Sequence, residues 1–276
     1  MKHGISIELY KLDELETKVS AAAACGFEYC QMFLREIDVT EKSVTRVAEV
    51  CKSYGVKIGP VGAYANPLRP DEAPMGWTLD KVRRMIELLP ILESNEIVIW
   101  SGTTSKDLLS YGDGNFEKEA LRTVARVSEE LLRLLQGTNG TLIFETYYTH
   151  VLHGVHSILA LLDLVQSDRI KVIMDPPNYI SPEDYNRRDE MMVELIDNLC
   201  RHIGAVHFKD FRLLPDRSWD YPGPGGGVMN YPLLLQKLAE CGYESWAIIE
   251  HVKPEEYASA KTFIESQLNT TRVGLK

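Results

Sequence analysis

Short apolar runs alternate eight times with helical patterns along this chain. The intervening segments carry apolar residues at helical spacing, and several end in a glycine just before the next run, as at Gly26, Gly55 and Gly242. The eight runs, rich in β-branched and aromatic residues as strands are, read ISIEL (5–9), YCQMFL (29–34), VKIGPVGA (56–63), EIVIWSG (96–102), TLIFET (141–146), KVIMD (171–175), AVHFKD (205–210) and WAIIEHV (246–252). Strand alternating with helix predicts a parallel β/α architecture.

The length favours one closed barrel over an open sheet. A (β/α)₈ barrel typically needs about 250 residues, and this chain has 276, with no linker and no second apolar core. An open doubly wound sheet is the alternative, but no Gly-rich dinucleotide turn follows the first strand. We therefore predict a single (β/α)₈ domain that spans residues 1–276.

Composition narrows the possible partners and locations. The chain is 45% hydrophobic and 25% charged, which suits a large packed core, and its net charge of −10 argues against a nucleic-acid partner. No apolar run approaches the length of a membrane span, and the N-terminus enters a strand pattern at once rather than a signal peptide. The five cysteines are scattered and odd in number, so we predict reduced thiols and a cytoplasmic protein.

Four of the predicted strands carry a metal-type or acid/base residue near their C-terminal ends. These residues are Glu145, Asp175, His207 and Glu250, separated by 30, 32 and 43 residues, each about one strand-helix unit. A parallel barrel brings these strand ends onto one face, where its active sites lie. A single buried carboxylate can be explained by a salt bridge at the barrel rim, but four converging residues predict a metal site. Mostly oxygen ligands favour Mn²⁺ or Mg²⁺, with Co²⁺ or Zn²⁺ also compatible.

Long connections also follow the strands. The segments 64–77, 103–116 and 211–230 would stand on the same face as these four residues and form a substrate pocket or lids. Aromatic residues crowd this face, and small-molecule pockets are generally lined with aromatic rings. They are Tyr64, Trp77, Trp100, Tyr147, Tyr179, Trp219 and Tyr221.

Three motifs resemble those of the xylose isomerase-like barrel superfamily, which contains sugar isomerases and epimerases. They are VIMDPPN (172–178), AVHFKDF (205–211) and PGPGGGVMNYPLLLQKLAECGYESWAIIEHV (222–252). The resemblance spans nearly the whole chain. It implies one divalent metal held by Glu145, Asp175, His207 and Glu250, and an acid/base role for the two glutamates.

That role is chemically reasonable for two glutamates on opposite faces of a substrate. A chelated ketone has an acidic α-proton, which one glutamate removes. Return of a proton to the far face of the same carbon gives epimerisation, and return to the adjacent carbon gives aldose–ketose isomerisation. The sequence does not fix which glutamate is the base.

Two positions depart from the ketose 3-epimerase pattern. Asn178 stands where that branch usually has the histidine of D-x-x-H, and Val151 stands where it tends to have a second glutamate. Both positions normally hold substrate hydroxyls, so a modified sugar, a keto-glycoside, a sugar acid or a cyclitol is as suitable a substrate as a free hexulose.

Three other functions are compatible with the same barrel. A dehydratase of a keto-cyclitol or keto-sugar would share the proton abstraction and then expel a β-hydroxyl. A non-catalytic sugar-binding barrel would not require two proton-transfer groups. A nuclease of the endonuclease IV type is disfavoured by the acidic charge and by the single set of ligands.

Five residues are candidates for contact with a small-molecule sugar substrate. Asn178 and Lys209 lie close in sequence to metal-type residues, Arg212 would suit an acidic or phosphorylated group, Trp100 closes the fourth strand, and His150 follows the fifth. We expect Asp210 to orient other groups or to anchor a loop. The family resemblance further suggests a dimer or tetramer.

Overall fold

Eight parallel strands close into a barrel, as predicted. The computed structural model describes residues 1–73 and 75–274. The strands are β1 (Lys2–Leu9), β2 (Tyr29–Leu34), β3 (Lys57–Gly62), β4 (Glu96–Trp100), β5 (Thr141–Glu145), β6 (Ile170–Met174), β7 (Ile203–Phe208) and β8 (Trp246–Ile249). Within the described residues, their order around the barrel is β1-β8-β7-β6-β5-β4-β3-β2. The chain is thus a single-domain (β/α)₈ barrel.

A helix follows each strand on the outside of the barrel. Thr40 and Thr78 cap two of the helices by accepting hydrogen bonds from backbone N–H groups, and Gly26, Gly55 and Gly242 adopt the positive φ expected just after a helix. The helices are α1 (Leu15–Ala24), α2 (Glu41–Ser53), α3 (Leu79–Leu88), α4 (Lys118–Leu134), α5 (Val155–Val165), α6 (Arg188–Leu199), α7 (Tyr231–Glu240) and α8 (Tyr257–Gly274). Within the described ranges, no helix has both the length and the hydropathy that a membrane crossing needs.

A layer of apolar side chains fills the barrel interior below the predicted site. Ile143, Ile173, Ala205 and Ile248 belong to one buried cluster, and each stands two residues before one of the four predicted ligands. Residues two apart on a strand face the same side, so each ligand stands above a packed apolar residue. This floor separates the site from the opposite end of the barrel.

The prediction of five reduced cysteines is wrong for one pair. Cys200 and Cys241 form a disulfide, whereas Cys25, Cys30 and Cys51 are free. Cys200 directly follows α6 and Cys241 directly follows α7. Because these consecutive helices run side by side around the barrel, their C-terminal ends meet although the two cysteines are 41 residues apart.

Candidate active site

The four predicted residues converge at the C-terminal end of the barrel. Glu145 ends β5, Asp175 follows β6, His207 lies one residue before the end of β7, and Glu250 follows β8. All four are buried, and one ligand atom from each lies within 4.8 Å of the others. His207 Nδ1 lies 3.0 Å from Glu250 Oε2, 3.5 Å from Asp175 Oδ2 and 3.9 Å from Glu145 Oε2.

The arrangement suits a divalent metal ion. Among the described residues, His207 Nδ1 and Asp175 Oδ1 are buried and have no hydrogen-bond partner. The other ring nitrogen, His207 Nε2, lies 3.0 Å from Gln31 Oε1. Because an amide oxygen only accepts, Nε2 carries a proton, and Nδ1, the nitrogen that faces the carboxylates, is the atom that would bind a metal once its own proton is displaced. Three carboxylates and one imidazole nitrogen form a donor set that hard and borderline divalent ions accept.

Without a metal, the crowded charges are balanced by bound protons. Burial and the charges of Glu250 and Asp175 raise the pKa of Glu145 to about 7, although His207 acts in the opposite direction. Burial would lower the pKa of His207, but the neighbouring carboxylates, Glu250 first, raise it to about 10. Burial also opposes ionisation of Glu250, yet the charge of His207, whose Nδ1 lies 3.0 Å from Glu250 Oε2, lowers that pKa to about 2.

Lys209 and Asn178 link two of the carboxylates. Lys209 is buried and its Nζ lies 2.7 Å from Asp175 Oδ2. It also donates to Asn178 Oδ1 at 2.8 Å, and Asn178 Nδ2 donates to Glu145 Oε1 at 3.0 Å. Both predicted substrate residues therefore lie at the site, where their visible role is to orient the acidic side chains.

Gln31 and Tyr64 form a second link, on the other side of Glu145. The Tyr64 hydroxyl donates a short hydrogen bond to Glu145 Oε2, and Gln31 Nε2 lies 3.4 Å from the Tyr64 hydroxyl. Gln31 is fully buried in β2 and thereby connects His207 to Glu145. The sequence prediction missed Gln31, although a lone amide within the apolar run YCQMFL was a usable signal.

Trp100 and His150 lie beside this network. The Trp100 ring is 5.1 Å from the Tyr64 ring and 5.0 Å from that of His150. His150 Nε2 lies 2.8 Å from the carbonyl oxygen of Leu108, which ties it to the loop after β4. Burial lowers the pKa of His150 to about 4, so it is neutral at physiological pH. Its contact with substrate, like that of Trp100, stays a prediction.

Arg212 occupies a different position from the other predicted residues. It is exposed on a short hairpin formed by Arg212–Leu213 and Trp219–Asp220, and its Nε donates to Asp220 Oδ2 at 2.7 Å. The guanidinium is thus already engaged within its own loop. The sequence offered no signal for this pairing, because Asp220 is eight residues away in a segment without regular spacing.

Asp210 anchors the loop that follows β7, as expected. Its carboxylate accepts hydrogen bonds from the backbone N–H groups of Phe211, Met229 and Gly225, at 2.9, 2.8 and 3.0 Å. The same loop carries Tyr221, whose ring centroid lies 5.2 Å from Lys209 Nζ. The anchored loop therefore places Tyr221 against the site, while residues 215–218 and 225–227 of the same loop are exposed.

Comparison with known proteins identifies the family. Residues 19–267 match the xylose isomerase-like TIM barrel family. The chain belongs to this family. A comparison with curated protein sequences finds no significant match.

Solved structures share the family's fold with low sequence identity. A D-tagatose 3-epimerase-like protein superposes with a TM-score of 0.76 at 18% identity, covering 100% of both chains. An L-ribulose 3-epimerase gives 0.73 at 17% identity, over 99% of this chain and 96% of the other. A 3-keto-D-glucoside 4-epimerase from E. coli gives 0.71 at 15%, over 96% and 99%.

Replacement of Gln31 should weaken metal binding. In Gln31→Leu, His207 loses the acceptor that fixes its Nε2 proton, and we expect the affinity for Mn²⁺ to fall roughly 10- to 100-fold. Titration calorimetry measures the change, and Gln31→Glu, which keeps an acceptor at this position, should bind more tightly than Gln31→Leu. Wild-type affinity in Gln31→Leu would contradict the orienting role.

Metal binding should release protons in a pH-dependent number. At pH 6, Glu145 and His207 both carry protons that a metal must displace, whereas at pH 8.5 only His207 does. We expect roughly two protons released per ion at pH 6 and roughly one at pH 8.5, so affinity rises with pH and rises less steeply above pH 7. Calorimetry in buffers of different ionisation enthalpy counts these protons. The same count at both pH values would contradict the account of Glu145.

Proposed function

We propose that this protein is a divalent-metal-dependent isomerase or epimerase of a sugar or sugar derivative. The observation that carries the proposal is the pair Glu145 and Glu250, two buried carboxylates on strands three apart in the barrel. Both reach toward His207 Nδ1. A site that only binds metal and ligand does not need two such proton-transfer groups.

Glu145, Asp175, His207 and Glu250 would hold the metal, with Mn²⁺ or Mg²⁺ most suitable for this donor set. A bound divalent ion would polarise the substrate carbonyl and stabilise the enediolate that forms when the α-proton leaves.

The two glutamates divide the proton transfers, and their surroundings differ. Glu145 is fixed through both of its oxygens, by Tyr64 and by Asn178. Glu250 is contacted by His207 at 3.0 Å, which leaves more freedom to its second oxygen. One carboxylate takes the α-proton, and the other delivers a proton to the opposite face or to the adjacent carbon.

Lys209, Asn178, Trp100 and His150 would bind the substrate around this pair. Lys209 presents a buried ammonium to substrate oxygens, and Asn178 can share its amide with a substrate hydroxyl. The Trp100 ring offers an apolar surface of the kind that lines small-molecule pockets, and His150 Nδ1 offers a neutral acceptor. Arg212 would contact the substrate only after its hydrogen bond to Asp220 is broken.

The solved neighbours support a sugar substrate. The 3-keto-D-glucoside 4-epimerase and the L-ribulose 3-epimerase share the fold over nearly the whole chain. We further propose a cytoplasmic homo-oligomer of two or four subunits.

Deuterium exchange tests the proposal. Metal-loaded protein in D₂O is incubated with ketoses, 3-keto-glycosides and inososes, and proton NMR follows the α-proton signal. We expect exchange with at least one compound, and a loss of roughly 10²- to 10⁴-fold in Glu145→Gln and in Glu250→Gln. Glu96→Gln is the matched control, because Glu96 begins β4 at the opposite end of the barrel.

The product formed distinguishes the possible reactions. A changed configuration at one carbon indicates an epimerase, a moved carbonyl indicates an isomerase, and a lost hydroxyl indicates the dehydratase alternative. Binding of metal and sugar without any exchange would contradict proton abstraction and support a non-catalytic sugar-binding barrel.

A further inference from the structure

A cavity of about 600 Å³ opens beside Glu250. Its walls include Ser6 and Glu8 of β1, Phe33 of β2 and Arg35 just after β2. The proton transfers proposed above use none of these four residues. The volume lies within the range of about 300–1,000 Å³ that small-molecule sites occupy, and the cavity shares Glu250 with the metal site.

Strand alternation places the polar residues of β1 toward the barrel interior. Ile5, Ile7 and Leu9 are fully buried in the cluster packed outside the barrel. Ser6 and Glu8 lie between them in sequence and are partly exposed. Successive side chains on a strand point to opposite faces, so Ser6 and Glu8 face the mouth of the barrel.

The same alternation relates Arg35 to the metal site. Gln31, Phe33 and Arg35 are two residues apart, and Gln31 reaches His207. Arg35 continues the strand pairing by donating its backbone N–H to the Leu9 carbonyl at 2.9 Å. Its guanidinium lies 5.3 Å from the ring of Tyr64, whose hydroxyl contacts Glu145. Arg35 therefore stands on the wall of the site, nearer to its mouth than Gln31.

Arg35 retains an unused hydrogen-bond donor. Its Nε pairs with Glu8 Oε1 at a short distance, whereas Nη1 is buried and has no hydrogen-bond partner among the residues described. A buried donor without an acceptor is unfavourable. An oxygen atom of a ligand in the adjoining cavity would satisfy it.

The charges around the cavity favour an uncharged ligand. Glu8 already neutralises Arg35, and its own side chain is 38% exposed. The walls hold as many basic as acidic side chains, namely Lys18, Arg35 and Lys253 with Glu8, Glu250 and Glu256, so the lining carries no excess positive charge that would attract an anion. Lys18 is already paired with Glu14, and a phosphate or carboxylate that approached Arg35 would meet the carboxylate of Glu8. Neighbouring hydroxyls avoid this conflict, because one can accept from Arg35 while another donates to Glu8.

We propose that this cavity binds the non-reacting end of the substrate, that this end is uncharged and bears hydroxyls, and that the Glu8–Arg35 pair recognises it. This inference rests on the proposed function, because that function places the reacting carbons beside Glu250. A cavity of this kind would bind an unphosphorylated sugar or glycoside in preference to a sugar phosphate.

Binding by matched pairs of probes tests this inference. Saturation-transfer-difference NMR on Mg²⁺-loaded protein compares D-fructose, D-tagatose and 3-keto-D-glucose with their 6-phosphates. Wild-type protein should bind the uncharged member of a pair more tightly. Arg35→Gln should weaken that binding at least tenfold without changing Mg²⁺ affinity or Tm. Glu8→Gln, which leaves Arg35 unneutralised, should shift the preference toward the phosphate at least tenfold.

Arg83→Gln is the control for loss of an arginine, because Arg83 pairs with Glu130 on the outer helices. The inference is overturned if the wild type prefers the phosphates or binds none of the uncharged compounds. It is also overturned if a folded Arg35→Gln binds the uncharged compounds as tightly as the wild type does. If Arg35→Gln does not fold, the shift or its absence in Glu8→Gln decides. If the uncharged probes bind without α-proton exchange, the result supports this binding site and contradicts the proposed reaction. If α-proton exchange occurs and is unaffected in Arg35→Gln, the result supports the proposed reaction and contradicts this binding site.

Discussion

Mutual repulsion among three buried carboxylates is the constraint on which this site depends. Glu145, Asp175 and Glu250 surround one imidazole nitrogen at the mouth of the barrel, and burying such charges together without compensation costs several kcal/mol or more. The polar groups around them act as compensation: Lys209 faces Asp175, and Tyr64 and Asn178 donate to Glu145. A metal ion would complete this compensation, and the raised pKa of Glu145 shows how a proton substitutes for it.

A layer of packed apolar side chains lies beneath this concentration of charge. Ile143, Ile173, Ala205 and Ile248 form a layer two residues below these three carboxylates and His207. Such a layer excludes water from one side and fixes the strand ends relative to one another. The open side is bounded by long loops, of which the segment after β7 is held by Asp210. Rigid strands thus place the four site residues, while loops shape access to them.

Sequence periodicity was sufficient to predict the barrel and the convergence of Glu145, Asp175, His207 and Glu250 at its mouth, because both follow from local patterns that repeat in each unit. Side chains alternate between the two faces of a strand. In a short apolar run that ends in Glu145 or Glu250, this alternation fixes the face on which the carboxylate lies. Gln31 and Arg35 were not found, because their partners lie on other strands, His207 for one and Glu8 for the other. The lone amide in YCQMFL was a signal for a buried polar residue, but it did not indicate which partner the amide would meet. The Cys200–Cys241 disulfide likewise depends on the meeting of two helix ends. Spacing along the chain does not encode such contacts directly.

We expect Glu145, Asp175, His207 and Glu250 to hold one divalent ion together. A crystal structure of the protein with Mn²⁺, analysed by anomalous scattering, would test this. We predict one strong anomalous peak from a single Mn²⁺ ion. Three carboxylates and His207 Nδ1 should bind this ion, with metal–ligand distances of about 2.0–2.3 Å, and Gln31 should remain hydrogen-bonded to His207 Nε2. An absent peak, or a metal bound away from these four residues, would contradict the account.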